Sequence, residues 1–162
     1  MLVNFDSLED TSRVWIYQSS RSFSEKEIDI ITAKVESFIA EWKRHGEGLK
    51  ASYQLKYNQF IILAVDEDYN EVSGCSIDSS VNLMKQFERA FNIDLTNKLN
   101  VSFKDNNNIN IVSLTDFQNF VKENKITSNT VVFNNMVLTK ADLAENWEVT
   151  AGESWHKRFL VQ

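Results

Sequence analysis

Apolar residues recur along this chain in two rhythms, one of strands and one of helices. Arg13-Val14-Trp15-Ile16-Tyr17-Gln18 is apolar or aromatic on both faces and predicts a central strand. Ile28, Ile31, Val35, Phe38 and Trp42 then recur every three or four residues, the buried stripe of a helix. Ser24 with Glu27 three residues on is a capping-box pattern at its start. His45-Gly46-Glu47-Gly48 predicts its end, with glycine available for a left-handed cap. Residues 51–57 alternate, as a strand with one wet face does, whereas residues 60–65 are continuously apolar and predict a strand buried on both faces. A second helix is expected over 78–91, with Asp78 as its N-cap and Val81, Met84, Phe87 and Phe91 turned inward. Residues 99–103 form a further strand.

The order β-α-β-β-α-β predicts an α+β fold with a ferredoxin-like core, an antiparallel sheet carrying two helices over 13–104. The expectation places the first and third strands centrally and parallel to each other, with the second at an edge. Trp15 and Tyr17 then fall on the sheet face away from the helices. A C-terminal α/β extension, 105–162, is expected to pack on that face within a single domain, 1–162. It reads as a strand at 110–112, a helix at 115–123, a hairpin within 130–138, a helix at 140–147 and a tail with Trp155 and Phe159. Homodimerisation through the sheet is the alternative way to cover the face.

Composition narrows the class. The chain has 162 residues, 43% apolar and 25% charged, and suits one well-cored domain. Its net charge of −6 argues against general nucleic-acid binding, which needs a concentrated basic surface. The first residues lack the basic and apolar regions of a signal peptide, and no run approaches a membrane span. Together with a single cysteine, these features predict a cytoplasmic protein. With no proline and four glycines, its turns must rest on Asn, Asp and Ser.

Candidate chemistry collects where the third strand runs into Asp66-Glu67 and then Ser73-Gly74-Cys75-Ser76-Ile77-Asp78. Under the expected topology this stretch lies beside Ser19, Ser20 and Arg21, and both helix N-termini emerge there. Ser73, Gly74, Cys75, Ser76 and Asp78 with Arg21 then make an anion-binding corner. Arg21 clamps a phosphate or carboxylate, or pairs internally with Asp66 or Glu67. Cys75 is a candidate nucleophile, opposed by the nearby acids, which favour its protonated thiol. Asp66, Glu67 and Asp78 are candidate general bases or Mg²⁺ ligands, although adjacent strand acids alternate in direction. Gly74 is expected to provide a backbone conformation or a close approach. His45 is expected at the opposite edge, without a partner in Cys75. His45, His156 and Cys75 have no zinc-binding spacing, so no metal site is assigned, and the sequence leaves any cofactor unknown.

Val14–Ser19 with Arg21, then Trp42, His45 and Gly46, residues 60–67 and Ser73–Asp78 resemble a family of small uncharacterised bacterial proteins. The resemblance continues into Phe133-Asn134-Asn135, Thr139-Lys140 and Trp147, nearly the whole chain. Members are often labelled ABC transporter ATPase, yet the chain holds neither the G-x-x-x-x-G-K-[ST] loop that wraps phosphates nor an LSGGQ signature. The resemblance identifies relatives and assigns no residue a role. The reading it leaves foremost is a binding or regulatory domain for a small anionic or phosphorylated ligand. The alternatives are a metal-dependent or cysteine-based hydrolase and a structural or protein-interaction module.

Overall fold

A computed structural model describes residues 1–160. Residues 161 and 162, the end of the expected extension, lie outside the described residues. The chain divides into two compact units, Met1–Thr96 with Leu138–Ala141, and Asn97–Val137 with Asp142–Gln162. The second unit begins at Asn97, within the stretch 13–104 expected to form the core, because the strand after Thr96 pairs into a second sheet. The class is α+β with antiparallel sheets, as expected.

The first unit runs β1 (Arg13–Gln18), α1 (Glu25–Glu41), β2 (Lys43–Arg44), β3 (Glu47–Gly48), β4 (Ala51–Lys56), β5 (Phe60–Val65) and α2 (Gly74–Phe91). Its main sheet has the order β1-β5-β4 and is antiparallel throughout. Here the expectation needs correction. Arg13 opposes Val65 and Gln18 opposes Phe60, so β1 and β5 run in opposite directions. The helical crossover returns the chain to β4 in the direction of β1, and the β4–β5 hairpin then reverses it. The expected four-stranded ferredoxin-like sheet is not formed, since its fourth strand joins the second unit. That leaves β5 alone at the centre and β1 at an edge, where the Val14 amide donates to the Leu138 carbonyl at 2.9 Å.

Register decides which side chains meet the helices. Trp15, Tyr17, Ile61, Leu63 and Val65 share one face with Ile31, Val35 and Ile39 of α1 and Leu83, Met84 and Phe87 of α2. Trp15 and Tyr17 thus point toward the helices, contrary to expectation. Trp15 packs edge-on against Trp42 at 6.2 Å between ring centroids, and the Tyr17 hydroxyl lies 3.0 Å from Ser80 Oγ. The other face, with Val14, Phe60, Ile62 and Ala64, is buried as well, which accounts for the unbroken apolar run of β5. Each of Val14, Phe60 and Ile62 taken fully from water contributes roughly 1.5–3 kcal/mol.

The Ser24–Glu27 capping box of α1 is present in both directions. The helix ends at Glu41, and β2 and β3 pair as a small ribbon. His45 (φ 48°) and Gly46 (φ 85°) form its turn, so the left-handed glycine closes a hairpin rather than capping a helix. The second helix starts earlier than expected. Ser73 is its N-cap, accepting from the Ser76 amide at 3.2 Å, and Asp78 lies within the helix, exposed. Glycine is tolerated at the first helical position, and Asn92 (φ 53°) closes the far end in the left-handed region.

The second unit runs β6 (Asn100–Asp105), β7 (Asn108–Ser113), α3 (Leu114–Lys122), β8 (Val131–Phe133), α4 (Lys140–Asn146, its first two residues grouped with the first unit) and β9 (Glu148–Thr150). Its sheet has the order β7-β6-β8-β9. Asn106 and Asn107, both left-handed, turn the β6–β7 hairpin, as the asparagine run suggests. No hairpin forms within 130–138; β8 stops at Phe133 and pairs with β9 and, at one residue, with β6. Val101, Phe103, Phe117, Val121 and Val132 make the core, with Trp155 and Phe159 packed on it. His156 is fully buried there, its ring stacked on Trp155 at 3.8 Å and its Nδ1 2.7 Å from Ser154 Oγ. Its Nε2 has no hydrogen-bond partner. Burial, reinforced by the Arg158 charge, lowers its pKa to about 4. Among the described residues no helix is long and apolar enough to cross a membrane.

Candidate functional site

Chain direction in the first sheet separates Arg21 from the 73–78 turn, which the expected topology places together. Because β1 and β5 are antiparallel, Arg21 follows β1 out at one end while Asp66 follows β5 out at the other. Arg21 holds the Glu27 carboxylate with both terminal nitrogens, at 2.8 and 2.9 Å, and donates to the Phe91 carbonyl at 2.8 Å. Phe91 ends α2 and Gly74 begins it, so Arg21 and the turn at 73–78 stand about 25 Å apart along a helix of 18 residues. Arg21 is internally paired, but with Glu27 rather than Asp66 or Glu67. Its hydrogen bonds and the Ser24 amide hold the Glu27 carboxyl at about 2.

The same geometry brings in a segment that the expected topology places at the far edge. The Ser76 hydroxyl donates to the Lys43 carbonyl at 2.8 Å, and the Trp42 indole donates to the Ser76 carbonyl at 2.9 Å. Ser73 Oγ lies 2.8 Å from Ser76 Oγ, completing a partly buried clasp between the first turn of α2 and the β2–β3 ribbon. Lys43, Arg44 and the His45 turn therefore belong to the end of the unit that holds Ser73, Gly74, Cys75, Ser76 and Asp78. Nothing in the residue types alone revealed this; only the strand directions do.

Individual groups at this end are unequally engaged. Gly74, Cys75 and Asp78 are exposed, as are Lys43 and His45. The amides of Gly74 and Cys75 have no partner among the described residues, as expected of the first helical positions. Gly74 needs no special conformation and has no atom within 4 Å of where a Cβ would stand, so neither reason expected for glycine applies. Arg44 reaches Glu71 at 3.7 Å through Nη1, while its Nε is buried without a partner.

The two acids at the end of β5 have structural partners. Asp66 is buried, lies 3.4 Å from Lys50 Nζ, and accepts from the amides of Asp68 and Tyr69 at 3.1 and 3.3 Å. Glu67 lies 4.0 Å from Arg13 and accepts from the Val72 amide at 3.3 Å. Both carboxylates thus tie down the loop between β5 and α2. Among the described residues no three of His, Cys, Asp and Glu converge in a way that would hold a metal ion.

No protein-family model matches the chain, and no similar curated protein or solved structure was found.

Proposed function

We propose that the first unit is a binding or regulatory domain whose ligand, a small anion or a phosphorylated metabolite, docks where α2 begins. The observation that carries this reading is the clasp from Ser76 to Lys43, which fixes the ribbon bearing Lys43 and Arg44 beside two helix amides that have no partner among the described residues. Helix N-termini attract anions through such amides and through the helix dipole. Exposed Lys43, with Arg44 shared with Glu71, supplies the countercharge that the expected topology assigns to Arg21, and the open space at Gly74 lets an anion approach the backbone. Three of the segments that carry the family resemblance, around Trp42–Gly46, Asp66–Glu67 and Ser73–Asp78, lie at this one end, which suits a shared site.

The test is a thermal-shift and calorimetric screen with inorganic phosphate, nucleotides and sugar phosphates. A binder is expected whose response is abolished by the pair Lys43→Ala and Arg44→Ala and retained in Arg21→Ala. The absence of any response, or a response that survives the loss of both cations, overturns the proposal.

A second reading, a cysteine-based hydrolase, is favoured by the exposure of Cys75 in the same turn, with the His45 ribbon pinned alongside. Its check is the rate of iodoacetamide alkylation against pH. A midpoint well below the ~8.5 of a free thiol supports a nucleophile. A midpoint at or above that value removes it.

A further inference from the structure

Distinct from the α2 corner, the outer edge of β4 is partly covered and partly open. Ala51 turns both of its backbone groups outward. Its amide donates to the Met1 carbonyl and its carbonyl accepts from the Val3 amide, both at 3.0 Å. Leu2 and Ala51 thereby form a parallel bridge, so a short extended segment already rides on this edge. The segment then leaves it, because Asn4 caps a tight turn over Phe5–Ser7. Lys50 accepts from the Asp66 amide toward the sheet, and outward and inward residues alternate along a strand. Tyr53 and Leu55 therefore also present their amides and carbonyls outward, and these have no hydrogen-bond partner among the described residues.

Two adjoining hollows follow this open stretch. The larger, about 550 Å³, lies between the departing segment and α1 and is lined by Asp6, Glu36 and Tyr53 among others. The smaller, about 380 Å³, continues past Thr32 to Leu55 and Lys56. Two carboxylates and no lysine or arginine line the larger hollow. One oxygen of Glu36 is engaged by the Tyr53 hydroxyl at 2.7 Å, which fixes the carboxylate over the edge.

From this geometry we infer that β4 receives an extended peptide segment of a partner protein, added as a strand along Tyr53 and Leu55, with a lysine or arginine side chain set between Asp6 and Glu36. Backbone pairing supplies attachment that is indifferent to sequence, and the two carboxylates that line the hollow supply the selection for a cation. The chain's own residues 2 and 3 show the geometry that the partner strand extends. Tyr53 and Thr32 line the path and leave room for side chains on the helix side.

The experiment uses the full chain and a displayed library of random decapeptides, followed by synthesis of the enriched sequences. Enriched peptides are expected to carry a lysine or arginine and to shift the backbone amide resonances of Tyr53 and Leu55. Replacing that cation with glutamate should weaken binding at least tenfold, and Glu36→Lys should reverse the preference between the two peptides. Because Glu36 is exposed on α1, this variant is expected to melt close to the parent, which separates lost binding from lost folding. The inference is overturned if no sequence is enriched, if enriched peptides are indifferent to charge, or if the shifts map elsewhere. It is equally overturned if the Tyr53 and Leu55 amides respond to protein concentration alone, since the occupant is then a second copy of this chain.

Discussion

Lowering the pH should destabilise the second unit through one residue. His156 is fully buried, the Arg158 charge disfavours its protonation, and its Nε2 has no hydrogen-bond partner. The folded state therefore favours the neutral ring, with a pKa near 4 against 6.5 for the unfolded chain. The unfolded chain binds a proton between these values and the folded one does not, so stability rises with pH across that window. Full stability is present above about pH 6.5 and is lost progressively down to about pH 4, where both states are protonated. A difference of about 2.5 units corresponds to roughly 3 kcal/mol, a large fraction of the stability of a small domain. Urea unfolding of the chain and of His156→Gln, from pH 7 to pH 4, isolates the contribution. Glutamine retains a partner for Ser154 and does not titrate, and every other titrating group is common to both proteins. The variant is expected to start less stable, having lost the stack on Trp155, but to fall more gently on acidification. Parallel pH profiles for the two proteins, or a His156 proton resonance titrating near 6.5, would refute the reasoning.

Other expectations are local. Arg21→Ala should cost about 1 kcal/mol in urea unfolding, from the exposed pair with Glu27 and the bond to Phe91, without altering ligand response at the α2 corner. The Glu27 carboxyl, held at about 2, contributes stability above about pH 4.5 that is lost as pH falls toward 2, a loss that Arg21→Ala should diminish. Ser73→Ala removes the cap of α2 and should cost about 1 kcal/mol by the same assay. Gly74→Ala should be neutral or stabilising, because a Cβ meets nothing there, whereas Gly46→Ala, at φ 85°, should lower the melting temperature.

Local rules carried much of the first unit. The capping box at Ser24, the buried stripe from Ile28 to Trp42 and the limits of β1 and β5 were legible because each rests on neighbours in sequence. The start of α2 lies four residues before the expected one, because Gly74 and the serines disfavour a helix by propensity while Ser73 caps it. Strand direction was the costlier omission. The expected parallel pairing joins Arg21 to the 73–78 turn and sets His45 apart, whereas β5 pairs antiparallel with both β1 and β4. The residues of the corner were therefore visible, but their neighbours were not. Nothing local to residues 99–103 says which sheet they enter, since the pairing partner of β6 lies downstream in β7.

The length of α2 also governs how the two ends of the first unit influence one another. About 25 Å of helix between Gly74 and Phe91 exceeds by about threefold the distance over which charge is felt at physiological salt, ~8 Å. Altering Arg21 or Glu27 should therefore leave the electrostatic potential around Cys75 and Lys43 unchanged. Substitutions at the two ends should combine additively, and a departure from additivity would report a change in the helix itself rather than a field acting across it.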